Sequence, residues 1–150
     1  MSLPSRFRPT GYAVLLLAAL VAAGCARHHE DEWSRKWPPR YPSVGAVELD
    51  GQPLEGAVVT FFTEKSDLGN KPFSAVGITD TAGRFVLKTF RPNDGAVAGD
   101  HVVMIEKREM TDGRIVTHLP AKYARKESSG LSATVTETGP NTFLFQLTSK

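Results

Sequence analysis

The chain has 150 residues, with 18 Lys and Arg against 16 Asp and Glu, and a single cysteine. One cysteine excludes an intramolecular disulfide, and a formal charge of +2 gives no electrostatic footprint of a nucleic-acid binder. The length fits one domain of ordinary size.

The first element is an apolar run over residues 11–23, preceded by Arg6 and Arg8. It has the length of a signal-peptide core and falls short of the roughly 20 apolar residues that span a bilayer. It ends in Ala22-Ala23-Gly24-Cys25. Small side chains there let a peptidase approach the backbone, and the cysteine supplies a thiolate for acylation. The stretch resembles the bacterial lipobox, although Ala22 stands where that motif usually has Leu. The resemblance implies cleavage between Gly24 and Cys25, lipid on Cys25, and attachment to a membrane of the cell envelope, at the outer membrane or its periplasmic face. Two or more acyl chains make a stable anchor. Residues 1–24, the expected signal peptide, hold two Arg and no acid, so the remainder carries 16 charges of each sign.

Residues 25–42 read as a lipidated tether. Arg27-His28-His29-Glu30-Asp31-Glu32 is dense in charge, and Trp33, Trp37, Pro38, Pro39 and Pro42 follow. Closely spaced prolines disfavour a helix and favour an extended spacer.

From Ser43 the pattern becomes short strands broken by turns. Val44, Ala46, Val47 and Leu49 lead into Asp50-Gly51, a tight-turn dipeptide. Residues 57–62 are rich in β-branched and aromatic side chains, and a polar loop over 64–71 follows. Strands are predicted over 73–79 and 84–89, joined by the turn Asp80-Thr81-Ala82-Gly83. Phe85 and Leu87 alternate inward on the second of these. Residues 101–107 form the next strand, with Val103 and Ile105 on one face. Residues 108–130 read as a polar insertion with a short strand at 114–117. Strands over 131–136 and 142–147 close the domain; in the last, Phe143, Phe145 and Leu147 alternate with Leu144 and Gln146. About seven short strands without helical periodicity predict an all-β fold, a single antiparallel β-sandwich occupying 43–150.

Three segments carry a resemblance. Gly45-Ala46-Val47 with Asp50-Gly51-Gln52-Pro53-Leu54-Glu55-Gly56-Ala57-Val58-Val59-Thr60-Phe61 is similar to the opening of carboxypeptidase regulatory-like domains, also described as transthyretin-like or prealbumin-like β-sandwiches. Thr79-Asp80-Thr81-Ala82-Gly83-Arg84-Phe85 resembles that family's T-D-x-x-G-x-F turn. Gly95 to Val103 looks like its G-x-x-x-G-x-Y-x-V segment, with His101 in place of the aromatic. Residues 119–135 resemble small bacterial lipoproteins built on this domain. The resemblance implies the transthyretin-like or immunoglobulin-like sandwich but no particular activity. Turn chemistry alone accounts for Asp50, Gly51, Gly56, Asp80 and Gly83.

Catalytic chemistry finds little support in the residues. The related hydroxyisourate hydrolases end in Tyr-Arg-Gly-Ser, whereas this chain ends Gln146-Leu147-Thr148-Ser149-Lys150. No G-x-S-x-G elbow occurs, and His101 and His118 are distant in sequence. His28 and His29 with the acids beside them are candidate metal ligands, but their spacing is not that of a structural zinc site. The expectation is a charged tether and no metal or cofactor. Lys122, Tyr123, Arg125 and Lys126 mix basic and aromatic side chains and are expected to form a polar loop with Tyr123 tucked against the domain. Together these readings predict a non-enzymatic envelope lipoprotein whose partners are membrane lipid, through acylated Cys25, and an envelope protein or polysaccharide, with no nucleic acid. The alternative is an envelope protein that binds a small ligand, glycan or metal.

Overall fold

The computed structural model describes residues 37–63 and 72–150. Pro38–Lys150 form one compact unit. Its strands are β1 (Arg40–Tyr41), β2 (Ser43–Leu49), β3 (Gln52–Pro53), β4 (Val58–Thr63), β5 (Phe73–Ile78), β6 (Arg84–Val86), β7 (Ala96–Val97), β8 (Gly99–Glu106), β9 (Arg108–Thr111), β10 (Arg114–Thr117), β11 (Leu131–Val135) and β12 (Asn141–Leu147). The helical content among the described residues is a single 3-10 turn, Ala121–Ala124. The protein is an all-β sandwich, as its strand pattern predicts.

One sheet has the order β11-β8-β4-β5, with every neighbour antiparallel. In the other, β2 lies between β12 on one side and both β3 and β6 on the other. Two features of this second sheet differ from a simple antiparallel meander. First, β12 runs parallel to β2 over its whole length, from Asn141 opposite Ser43 to Leu147 opposite Leu49. Parallel neighbours need a crossover rather than a hairpin, and here almost the entire domain is that crossover. Second, β6 does not return along β5. It crosses to β2, leaving a lone bridge between Val76 and Lys88. Pro38 to Pro42, read from sequence as the end of the tether, lie within the compact unit, and β1 pairs with β7.

Strand alternation builds the core. Val59 and Phe61 of β4, Val103 and Ile105 of β8, Ala133 and Val135 of β11, and Val47, Phe145 and Leu147 of the opposite sheet are all buried. Phe61 stands at the centre. Its ring meets Phe143, Phe145 and Phe85 of the facing sheet edge-on, with centroids 5.1, 5.9 and 6.3 Å away. Edge-to-face pairs of this kind add about 0.5–1.5 kcal/mol each beyond the area they bury. Room for Phe85 comes from Gly45: a Cβ there would lie 2.5 Å from the Phe85 ring and 2.6 Å from the Phe143 carbonyl oxygen.

Two substitutions test this packing by urea denaturation followed by far-UV circular dichroism. Phe61→Ala removes the central ring and is expected to cost about 3–5 kcal/mol. Gly45→Ala overpacks the same spot and is expected to cost about 1–3 kcal/mol.

Candidate functional site

The residues singled out from sequence fall into three groups. Gly24, Cys25, His28 and His29 lie outside the described residues. Among the described residues no helix is long and apolar enough to cross a membrane, and no cluster of three or more His, Cys, Asp or Glu is placed to hold a metal ion.

The second group is the turn residues, and their geometry is structural. Asp50 and Gly51 both have positive φ, 50° and 80°, as a type I′ turn between β2 and β3 requires. The Asp50 carboxylate also accepts a hydrogen bond from the Ser149 amide at 3.1 Å, and hydrogen bonding from the Ser149 side chain, then from this amide, holds its pKa below the usual carboxylate value. Gly56 donates its amide to the Thr79 carbonyl. In the motif from Thr79 to Phe85 each specified position has a task. The Thr79 hydroxyl accepts from the buried Ala57 amide at 2.8 Å. Asp80 Oδ1 accepts from the amides of Ala82 and Arg84 at 2.9 and 2.8 Å. Gly83 turns at φ 72°, where a Cβ would lie 2.6 Å from the Val47 carbonyl oxygen. Phe85 enters the core.

The third group is the ionisable side chains in the strands and loops. His101 is 3% exposed, beside Phe61, with ring centroids 5.7 Å apart. Its Nε2 lies 2.8 Å from the Val97 carbonyl oxygen, so Nε2 carries the hydrogen and donates it. Nδ1 is then a buried acceptor with no partner. Burial disfavours the imidazolium and lowers the pKa of His101, against smaller opposing effects of Val97 and the Asp100 charge. His118 instead pairs on the surface with Glu109, Nε2 to Oε2 at 3.0 Å, and Lys107 holds the other oxygen of Glu109 at 3.1 Å. The hydrogen bond from Lys107, then the His118 charge, lower the Glu109 pKa. Among the described residues neither imidazole is hydrogen-bonded to a serine or cysteine. Around the 3-10 turn, Lys126 and Lys122 lie over the rings of Phe62 and Tyr123 at 4.6 and 4.8 Å. Tyr123 is buried, and its hydroxyl accepts from the Thr148 amide at 3.1 Å.

The sequence reading passed over one part-buried clasp and, apart from the short strand over 114–117, two surface features. The clasp is Asp94, whose carboxylate accepts from the amides of Thr89, Phe90 and Arg91 and pairs with Arg40 at 3.3 Å. Its signal was an Asn-Asp-Gly run, which favours such local bonding. The first surface feature is the ribbon of β9 and β10, in which every residue is exposed. Met110 and Ile115 are cross-strand partners, 77% and 67% exposed. The second is a trough about 530 Å³ in volume on the outer face of β6, β2 and β12.

No family model matches the chain, and no curated protein matches it. Among solved structures, a 9R-lipoxygenase from Cyanothece aligns with 89% of this chain at 15% identity and a TM-score of 0.36. The aligned region spans 20% of the lipoxygenase chain. A likeness of that size carries no argument about function.

His101 makes stability depend on pH with a definite sign. The unfolded imidazole titrates near about 6.5, and the folded pKa is lower. The unfolded state therefore binds more protons below that value, so stability is full above it and falls as pH drops. Urea midpoints between pH 8 and pH 5 are expected to fall for the wild type. The decline should flatten in His101→Phe, which keeps the ring and removes the orphaned acceptor. Parallel curves for the two proteins would show that His101 does not couple to folding.

Proposed function

We propose that this chain is a lipid-anchored protein of the bacterial envelope, without enzymatic activity of its own, that engages another envelope protein or a surface polysaccharide. The observation that carries the reading is the β9–β10 ribbon. A two-stranded ribbon gains little stability in water by itself, yet this one displays Met110 and Ile115 side by side, both largely exposed. The tight turn at Asp112 and Gly113, with φ of 51° and 74°, fixes their register. Paired backbone with two apolar side chains suits either a flat protein surface or the apolar faces of sugar rings, and among the described residues no further strand pairs with its outer edges, which leaves them to strand addition.

The anchor rests on the signal-like run over residues 11–23 and the Ala22-Ala23-Gly24-Cys25 stretch. The sandwich as an interaction module is in keeping with the resemblance to carboxypeptidase regulatory-like domains. Lack of activity is supported by the ways His101 and His118 are already used, one in the core and one against the Glu109 carboxylate.

Two measurements bear on the two halves of the reading. Intact mass of membrane-extracted protein should show a species beginning at Cys25 with added acyl mass, and Cys25→Ser should abolish it. An unlipidated mass would end the anchoring half. Crosslinking in whole cells should capture a discrete protein or glycan adduct with the wild type and lose it with Met110→Glu and Ile115→Glu combined. Both positions are exposed, so the fold should survive and its urea midpoint should stay put. An adduct pattern unchanged by the double substitution would remove the ribbon from the interface.

A further inference from the structure

The trough on the second sheet is separate from the ribbon and independent of the function proposed above. Its shape follows from register. Val44 pairs with Val86 on one side and Thr142 on the other, and Ala46 likewise pairs with Arg84 and Leu144. Because Val47, Phe85 and Phe145 point into the core, strand alternation turns these six side chains outward in two adjacent rows. Antiparallel sandwiches usually present polar side chains to water on the outer face. Here Val44, Val86 and Leu144 remain 40%, 46% and 56% exposed. Ala46, short and set between Arg84 and Leu144, forms the low point of the trough. The volume, about 530 Å³, is that of a small-molecule site.

Charge at one end is uneven. Asp80 also lines this end, with Oδ1 held by the amides of Ala82 and Arg84, whose dipoles offset part of its charge. Glu48, one row beyond Ala46, receives a hydrogen bond from Gln146 at 3.1 Å. The Arg84 side chain is exposed and its guanidinium is in no ion pair among the described residues. A planar guanidinium fork beside an apolar trough complements a carboxylate joined to an apolar body. A cationic head would face the guanidinium as a like charge, and an uncharged head would gain less from it.

We propose that this trough binds an amphipathic monocarboxylate, with its carboxylate on Arg84 and its aliphatic or aromatic body over Ala46 against Val44, Val86 and Leu144.

The test is titration calorimetry on the full chain with decanoate, decanol and decyltrimethylammonium, each below its aggregation concentration. The tails match and only the heads differ. Decanoate is expected to bind about tenfold more tightly than either of the others, the difference one charge-assisted hydrogen-bonded pair supplies. Arg84→Gln should bring decanoate to the affinity of decanol, and Leu144→Gln, which adds no charge, should weaken binding of all three probes while leaving the urea midpoint in place. Any binding elsewhere on the chain is common to wild type and variants, so the difference between them reports the trough. Equal affinities for the three heads, no decanoate heat, or no change in Arg84→Gln would each overturn the proposal. So would sedimentation showing a dimer that Leu144→Gln dissociates, which would assign the face to a second copy of the chain.

Discussion

The two sheets face each other without a covalent link, since the one cysteine is Cys25, outside the compact unit. Cohesion therefore falls on packing, and packing converges on Phe61. Its ring meets Phe85, Phe143 and Phe145 of the opposite sheet, while Phe143, Phe145 and Phe85 form near-parallel pairs among themselves. This arrangement demands that β2 come close enough to leave no room for a side chain at Gly45. It also demands that β12 present two phenylalanines two residues apart on one face, which only an extended strand in that register does.

Around this cluster, the ends of the domain are secured by polar side chains bonded to backbone. Asp94 gathers the Thr89–Asp94 loop and ties it to Arg40. The Asn141 side chain, buried at the start of β12, bonds the Thr136 amide and carbonyl at 2.8 and 3.0 Å. Asp50 and Tyr123 fasten Ser149 and Thr148 at the other end. Each of these groups satisfies amides or carbonyls that strand pairing leaves over, which buried backbone requires. The one buried side-chain atom left unsatisfied among the described residues is Nδ1 of His101. It sits next to the aromatic cluster, its ring centroid 5.7 Å from that of Phe61.

Much of this was legible in the sequence because it is local. The Asp50-Gly51 turn, the Thr79 to Phe85 motif and the alternation of Phe143, Phe145 and Leu147 are written in neighbouring residues, and the strands appear where those signals place them. Pairing partners were not legible. Nothing in residues 84–89 says that β6 joins β2 rather than folding back along β5. Nothing in β12 says that its neighbour is parallel and lies at the start of the domain. Those choices are made by the burial of distant side chains together. The ribbon is a different case. Asp112-Gly113 is as strong a hairpin signal as Asp50-Gly51, but its strands lack an inward face and so lack the alternation that marks the others. The trough was half legible: Leu144 and Gln146 could be placed outward by alternation, whereas the row formed with Val44 and Val86 depends on register between strands far apart in the chain. Of the candidate site residues, Asp50, Gly51, Gly56, Asp80 and Gly83 lie in the described residues, where Asp50 and Asp80 bond backbone amides, and Cys25, His28 and His29 lie outside them.

The parallel pairing of β2 and β12 also fixes how the domain bears load. The chain enters β2 at Ser43 and leaves β12 at Leu147, at opposite ends of one ladder. Tension applied between the two ends of the domain runs along that ladder in shear. Its hydrogen bonds are then stretched together rather than opened one after another, as happens when a hairpin is peeled. A domain held in this way resists being pulled apart far better than its modest core would suggest, provided the force acts through its two ends.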